Sequence, residues 1–150
     1  MKRAAAVALA TVTLIVIGTV EAGESARQLA DIGRGPIAPA GAGITAAGLV
    51  ASCLVYLVLG WWLREDRAAI RMGLLVGILS GAAGGSIRAL LIADALGQIV
   101  ARYAAVPDWF IAAVLGVFVA LSTLVSGAGG AALAFGGVRL SKAWRPRPPA

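Results

Sequence analysis

Histidine and asparagine are absent from this chain, and its only cysteine is Cys53. Without histidine the commonest general base and metal ligand are missing. One cysteine excludes an intrachain disulfide. Ser/His and Cys/His nucleophile pairs are therefore impossible, and no glycine loop is followed by Lys-Ser or Lys-Thr to hold a phosphate. A reactive thiolate needs a nearby cation or a helix start, and Cys53 has neither in sequence; with Tyr56 it reads as a buried packing residue. Acidic residues number seven, and charged residues make up 13% of the chain, against about 25% in an ordinary soluble domain. Too few polar residues remain to cover a soluble fold of 150 residues. The inventory predicts no catalytic residues, no metal, no cofactor and no enzyme.

Apolar residues are abundant. They make up 60% of the chain, and the mean hydropathy is +0.91. The net charge is +6, but the basic residues sit between apolar runs instead of lining a stripe. That is the pattern of membrane topology, and it argues against nucleic acid as a partner. The expected partner is the lipid bilayer. The expected fold is all-α, a polytopic four-helix transmembrane bundle forming a single membrane domain over residues 1–150, in a bacterial-type inner or cytoplasmic membrane.

Four spans are predicted, over about 4–20, 44–63, 72–93 and 109–136. The first follows Met1-Lys2-Arg3 and ends near Val20-Glu21-Ala22. A basic start and small residues also fit a signal peptide cut after Ala22. The apolar run exceeds a usual signal core, and further spans follow, so a retained helix is the preferred reading. Residues 21–43 form the longest polar stretch: a short interfacial helix over 24–33, then a Pro/Gly loop from Arg34 to Gly43. Trp61-Trp62 beside Arg64-Glu65-Asp66-Arg67 reads as an interfacial anchor. Residues 94–108 are a connector, with Asp108 expected to cap the fourth helix. That helix, with Ser126 to Gly130 as its soft point, exceeds a bilayer core of about 30 Å and must tilt, kink or protrude.

Lysine and arginine orient the spans. The N-terminus, the loop 64–71 and the tail 139–150 hold nine, residues 27, 34 and 102 hold three, and Arg88 is the thirteenth. Short basic loops stay in the cytoplasm, so both chain ends are expected inside.

The third span carries Gly73, Gly77, Gly81 and Gly85 at a spacing of four, which puts them on one slowly drifting stripe of a helix. In water each glycine costs roughly 1 kcal/mol against alanine. In lipid, bare backbone admits a close neighbour. The fourth span has small residues at alternating steps of three and four, among them Gly116, Ala120, Thr123, Gly127, Gly130 and Ala134. That 3.5 period favours left-handed packing, whereas a spacing of four favours a right-handed crossing. Two periods point to two different partners.

Arg88 is the one charge inside a predicted span. With Ser86 and Asp94 it forms the candidate intramembrane polar site, near the outer interface, where its long side chain can snorkel to water or phosphates or pair with Asp94, Asp108 or Glu21. Two functions follow. The preferred one is a structural or accessory subunit whose small-residue stripes bind its own copies or the helices of a larger complex. The alternative is a small homo-oligomeric channel, holin-like pore or transporter, with Arg88 near its outer mouth and Ser80, Ser86, Ser122, Thr123 and Ser126 along the path.

Overall fold

In the computed structural model, residues 2–31, 40–103 and 107–144 are described, and almost all of them are helical. The elements are α1 (Lys2–Asp31), α2 (Ala40–Leu63), α3 (Asp66–Tyr103) and α4 (Asp108–Ala143). All four are long and apolar enough to cross a membrane. Each outlasts the span read from hydropathy. Helix α1 continues unbroken past Val20 to Asp31, so Glu21 to Asp31 is neither loop nor separate interfacial helix. Helix α2 begins at Ala40, within the expected loop; residues 34–39 lie outside the described residues. Helix α3 starts at Asp66 and absorbs most of the connector expected after residue 93.

The reason is that hydropathy locates a bilayer, whereas helix formation depends on local bonding. Gln28 donates to Glu24 one turn back, and Asp66 lies in the first turn of α3, where a carboxylate meets the positive end of the helix dipole. At about 1.5 Å per residue, the 38 residues of α3 extend roughly 57 Å. Helix α4 runs through Ser126–Gly130 without a break, so the expected soft point stays helical. Its N-cap is Pro107, in extended conformation, with no side-chain cap bond. Asp108 is thus the first helical residue and not the cap.

Helices α2 and α3 are joined by Arg64 and Glu65 alone. Arg64 takes a positive φ of 60° and its N–H donates to the Gly60 carbonyl, reversing the chain within two residues. The start of α1 and the end of α4 return to the same end of the bundle. There Arg3 lies 3.9 Å from Glu65, Lys142 donates 2.9 Å bonds to Asp66, and Trp61 meets Trp144 edge to face at 6.3 Å. These ion pairs are exposed and add little stability. They mark the basic end of the bundle.

Around the bundle the neighbours are α1–α3, α3–α4, α4–α2 and α2–α1; α3 and α4 make the most extensive contact. Glycine permits it. A Cβ added at Gly77 would lie 2.7 Å from the Ser126 carbonyl carbon, and one at Gly81 would lie 2.8 Å from Ser126 Cβ. Gly73 faces Gly130 and Ala134, and Gly85 faces Ser122. The α4 side of this contact is therefore Ser122, Ser126, Gly130 and Ala134, at a spacing of four that matches α3. Gly127 faces the side chains of Leu74 and Ile78.

The 3.5-residue series on α4 does not form one surface. Gly137 packs on the backbone of Leu57 and Trp61 in α2, and Gly60 of α2 packs on Ala134. Gly116 faces open space, Ala120 is exposed, and Thr123 bonds back to the Val119 carbonyl. The two partners expected from the two periods are α3 and α2, both within the chain.

The packed core lies toward the basic end. Ala10, Leu14, Tyr56, Leu59, Leu63, Ala69, Val76, Ala134 and Val138 form one cluster, with Val76 and Val138 fully enclosed. Counted along their helices from the basic end, all fall within about 18 Å. Large apolar side chains such as Leu49, Leu54, Leu79, Leu121 and Leu124 cover the outside.

Two substitutions of the same kind separate contact from propensity. Alanine gains about 1 kcal/mol over glycine in a helix interior. Gly84 has nothing within 4 Å of an added Cβ. Gly84→Ala is therefore expected to hold or raise the melting temperature in detergent. Gly77→Ala forces two backbones apart and should destabilise by about 1–3 kcal/mol. Equal shifts in thermal unfolding would contradict the close α3–α4 contact.

Candidate functional site

Beyond the packed core, each helix turns a short side chain or a polar group inward. On α1, Leu14, Gly18, Glu21 and Ser25 follow steps of four, three and four and share a face. On α2, Ser52 and Tyr56 are one turn apart. On α3 the inward residues are Ser80, Gly81, Gly84, Gly85 and Arg88; on α4 they are Phe118, Ser122 and Ser126. All except Ser25 line one cavity of about 210 Å³. Measured along α3 from Asp66, it reaches from about 21 Å at Ser80 to about 33 Å at Arg88. One half of the bundle is filled and apolar; the other is hollow and polar.

The cavity arises because glycine and serine, which let the backbones meet near the basic end, leave volume unfilled farther up. Polar side chains there find partners. Tyr56 Oη and Ser80 Oγ are 3.2 Å apart and buried, and Ser80 also donates to the Gly77 carbonyl at 3.4 Å. This pair sits where the apolar core ends and forms the floor. At the far end Arg88 Nη2 donates to Ser25 Oγ at 2.7 Å. The Glu21 carboxyl lies against Gly48 of α2, where any added Cβ would overlap it, and it feels the charge of Arg88. Among the described residues no side-chain nitrogen or oxygen is sealed away without a partner.

Comparison with protein-family models, curated proteins and solved structures finds no match to this chain. The site therefore stands on its own geometry.

The polar group expected from sequence is not assembled. Ser86 and Asp94 are exposed on other faces of α3 from Arg88, because steps of two and six residues turn a helix by about 200° and 240°. Ser86 instead borders a shallow groove with Ala89, Leu115 and Gly116. Of the three carboxylates the sequence offers Arg88, Glu21 shares its cavity, and Ser25, Ser52 and Tyr56 are the polar neighbours that sequence reading did not attach to it. The signal was present. Gly18, Glu21 and Ser25 keep helical spacing beyond Val20, and Ser52–Tyr56 and Ser122–Ser126 each share a face one turn apart. Ser122 and Ser126 do face inward, whereas Thr123 on the same helix bonds to its own backbone.

Chemically, the cavity offers one cation, one carboxylate and a ring of hydroxyls. Among the described residues no three His, Cys, Asp or Glu side chains gather as a metal site.

The floor bond has a measurable consequence. Tyr56→Phe and Ser80→Ala should each cost about 0.5–1.5 kcal/mol, and the double variant should cost less than their sum. Strict additivity in thermal unfolding would mean the two hydroxyls do not interact.

Proposed function

We propose that this chain is a small multi-pass membrane protein whose half-open bundle admits a small polar solute, as in a channel or transporter. The carrying observation is that all four helices direct polar side chains into one cavity closed below by an apolar core. Polar groups in a membrane helix face water, substrate or one another, because lipid offers them no partner. In this reading the bundle spans the bilayer, with exposed leucine, isoleucine and valine toward lipid. Trp61, Trp62 and Trp144 sit at one interface and Trp109 with Phe110 at the other. The basic end faces the cytoplasm, and the vestibule opens to the opposite side.

The accessory-subunit reading loses its main ground. The α3 glycines at 73, 77, 81 and 85 are occupied by α4, and Gly127, Gly130 and Gly137 of α4 by α3 and α2. One feature still favours self-association: the groove of Ser86, Ala89, Leu115 and Gly116, where Gly116 has no neighbour within 4 Å. An assembly through that face is compatible with the vestibule reading and leaves the cavity within each copy.

Retention of α1 is part of the proposal. A cut after Ala22 would remove Glu21, Gly18 and Leu14 from the cavity and Ala10 from the core.

Single cysteines in a Cys53→Ala background test the vestibule. In sealed proteoliposomes, a charged, impermeant thiol reagent should label Ser122→Cys from the side opposite the basic end. It should leave Val76→Cys, in the core, unmodified from either side. Protection of both positions would contradict a water-filled vestibule.

A further inference from the structure

Resting on the vestibule reading, the geometry points to a more specific ligand: we propose that the cavity binds a small zwitterion, its anionic group on Arg88 and its cationic group on Glu21. The two charges stand on neighbouring helices, α3 and α1, and line the same space. They do not close on each other. Among the described residues the ion pairs within 4 Å are Arg3–Glu65 and Lys142–Asp66, both at the basic end. Arg88 turns to Ser25, at 2.7 Å, and Glu21 is seated on the bare backbone of Gly48. Attraction between unit charges grows steeply at short range in a medium of low dielectric. An Arg–Glu pair serving packing alone gains most by direct contact, because desolvated charges need the strongest available partner. Lining one cavity without an ion pair within 4 Å, they leave room for a ligand that carries both complements.

Size and lining narrow the class. A space of about 210 Å³ lies below the range of drug-sized sites. The remaining polar lining is neutral: Ser52, Tyr56, Ser80, Ser122 and Ser126. A lone anion would meet Arg88 but also face the Glu21 carboxylate. A lone cation would have the reverse problem. A compact solute with a carboxylate and an ammonium a few ångströms apart satisfies both, and Leu14 and Phe118 accept a short apolar substituent.

The test uses the full chain in proteoliposomes with three radiolabelled probes: glycine, acetate and methylammonium. Glycine should be bound or taken up at least about tenfold better than either, the scale set by one hydrogen bond to a charged group. Arg88→Gln and Glu21→Gln should each lower the glycine signal about tenfold. Arg88→Gln should spare methylammonium, and Glu21→Gln should spare acetate. Gly48→Ala, which displaces the Glu21 carboxylate, should weaken glycine more than acetate. Should the charge variants fail to fold, the wild-type ranking decides alone. Acetate or methylammonium equal to glycine in the wild type overturns the zwitterion. The same holds if none of the three is bound while Ser122→Cys is labelled, which leaves the vestibule standing. No binding with Ser122→Cys also unlabelled removes both.

Discussion

The approach of α3 to α4 is the constraint on which the rest of this bundle depends. In the bilayer proposed for this bundle, helices gain nothing from hiding apolar surface, because lipid is as apolar as leucine. What holds them is close contact over length, and side chains set how close that contact can be. At Gly73 and Gly77 there is no side chain, and the α4 backbone at Ser126 and Gly130 comes to rest against α3. The same device recurs where Gly60 and Gly137 let α2 meet α4. Both contacts lie beside the core of Val76, Leu59 and Val138, so the basic end is solid.

The hollow half follows from the same residues. Farther along α3 the spacing of small residues continues through Gly81, Gly84 and Gly85, but fewer large side chains reach inward to fill the space. Gly84 has no neighbour within 4 Å. A void in a membrane bundle is tolerable when polar groups hydrate it or a ligand fills it. Serines on three helices, Tyr56, Glu21 and Arg88 supply those groups. A shared sequence habit, small residues facing inward, thus gives tight packing at one end and a polar chamber at the other. Which of the two results depends on the side chains from α1 and α2.

This explains how much of the molecule was legible in the sequence. Four apolar helices, and α3's glycine stripe at a spacing of four, follow from composition and period. The partner face on α4 was misread because serine was set apart as polar. Ser122 and Ser126 are also small, and with Gly130 and Ala134 they complete the matching period of four. The site was misread because hydropathy ended α1 at Val20. Glu21 then fell outside the span and Ser25 into a separate interfacial helix, whereas one continuous helix carries both on the face that looks at Arg88. Ser86 and Asp94 were close to Arg88 in sequence and distant in angle. Glu21 was within the sequence's choice of partners for Arg88, but a one-chain pattern does not reveal which helices are neighbours and so could not select it over Asp94 or Asp108.

The central claim is that one bundle is dry at its basic end and wet beyond the Tyr56–Ser80 bond. Solid-state NMR of the labelled protein in bilayers, with polarisation transferred from water, measures this along α3 directly. The account predicts rapid transfer to Gly84, Gly85 and Arg88 and little to Gly73, Val76 and Gly77. Equal transfer along the whole helix, or strong transfer confined to Gly73 and Gly77, would contradict it.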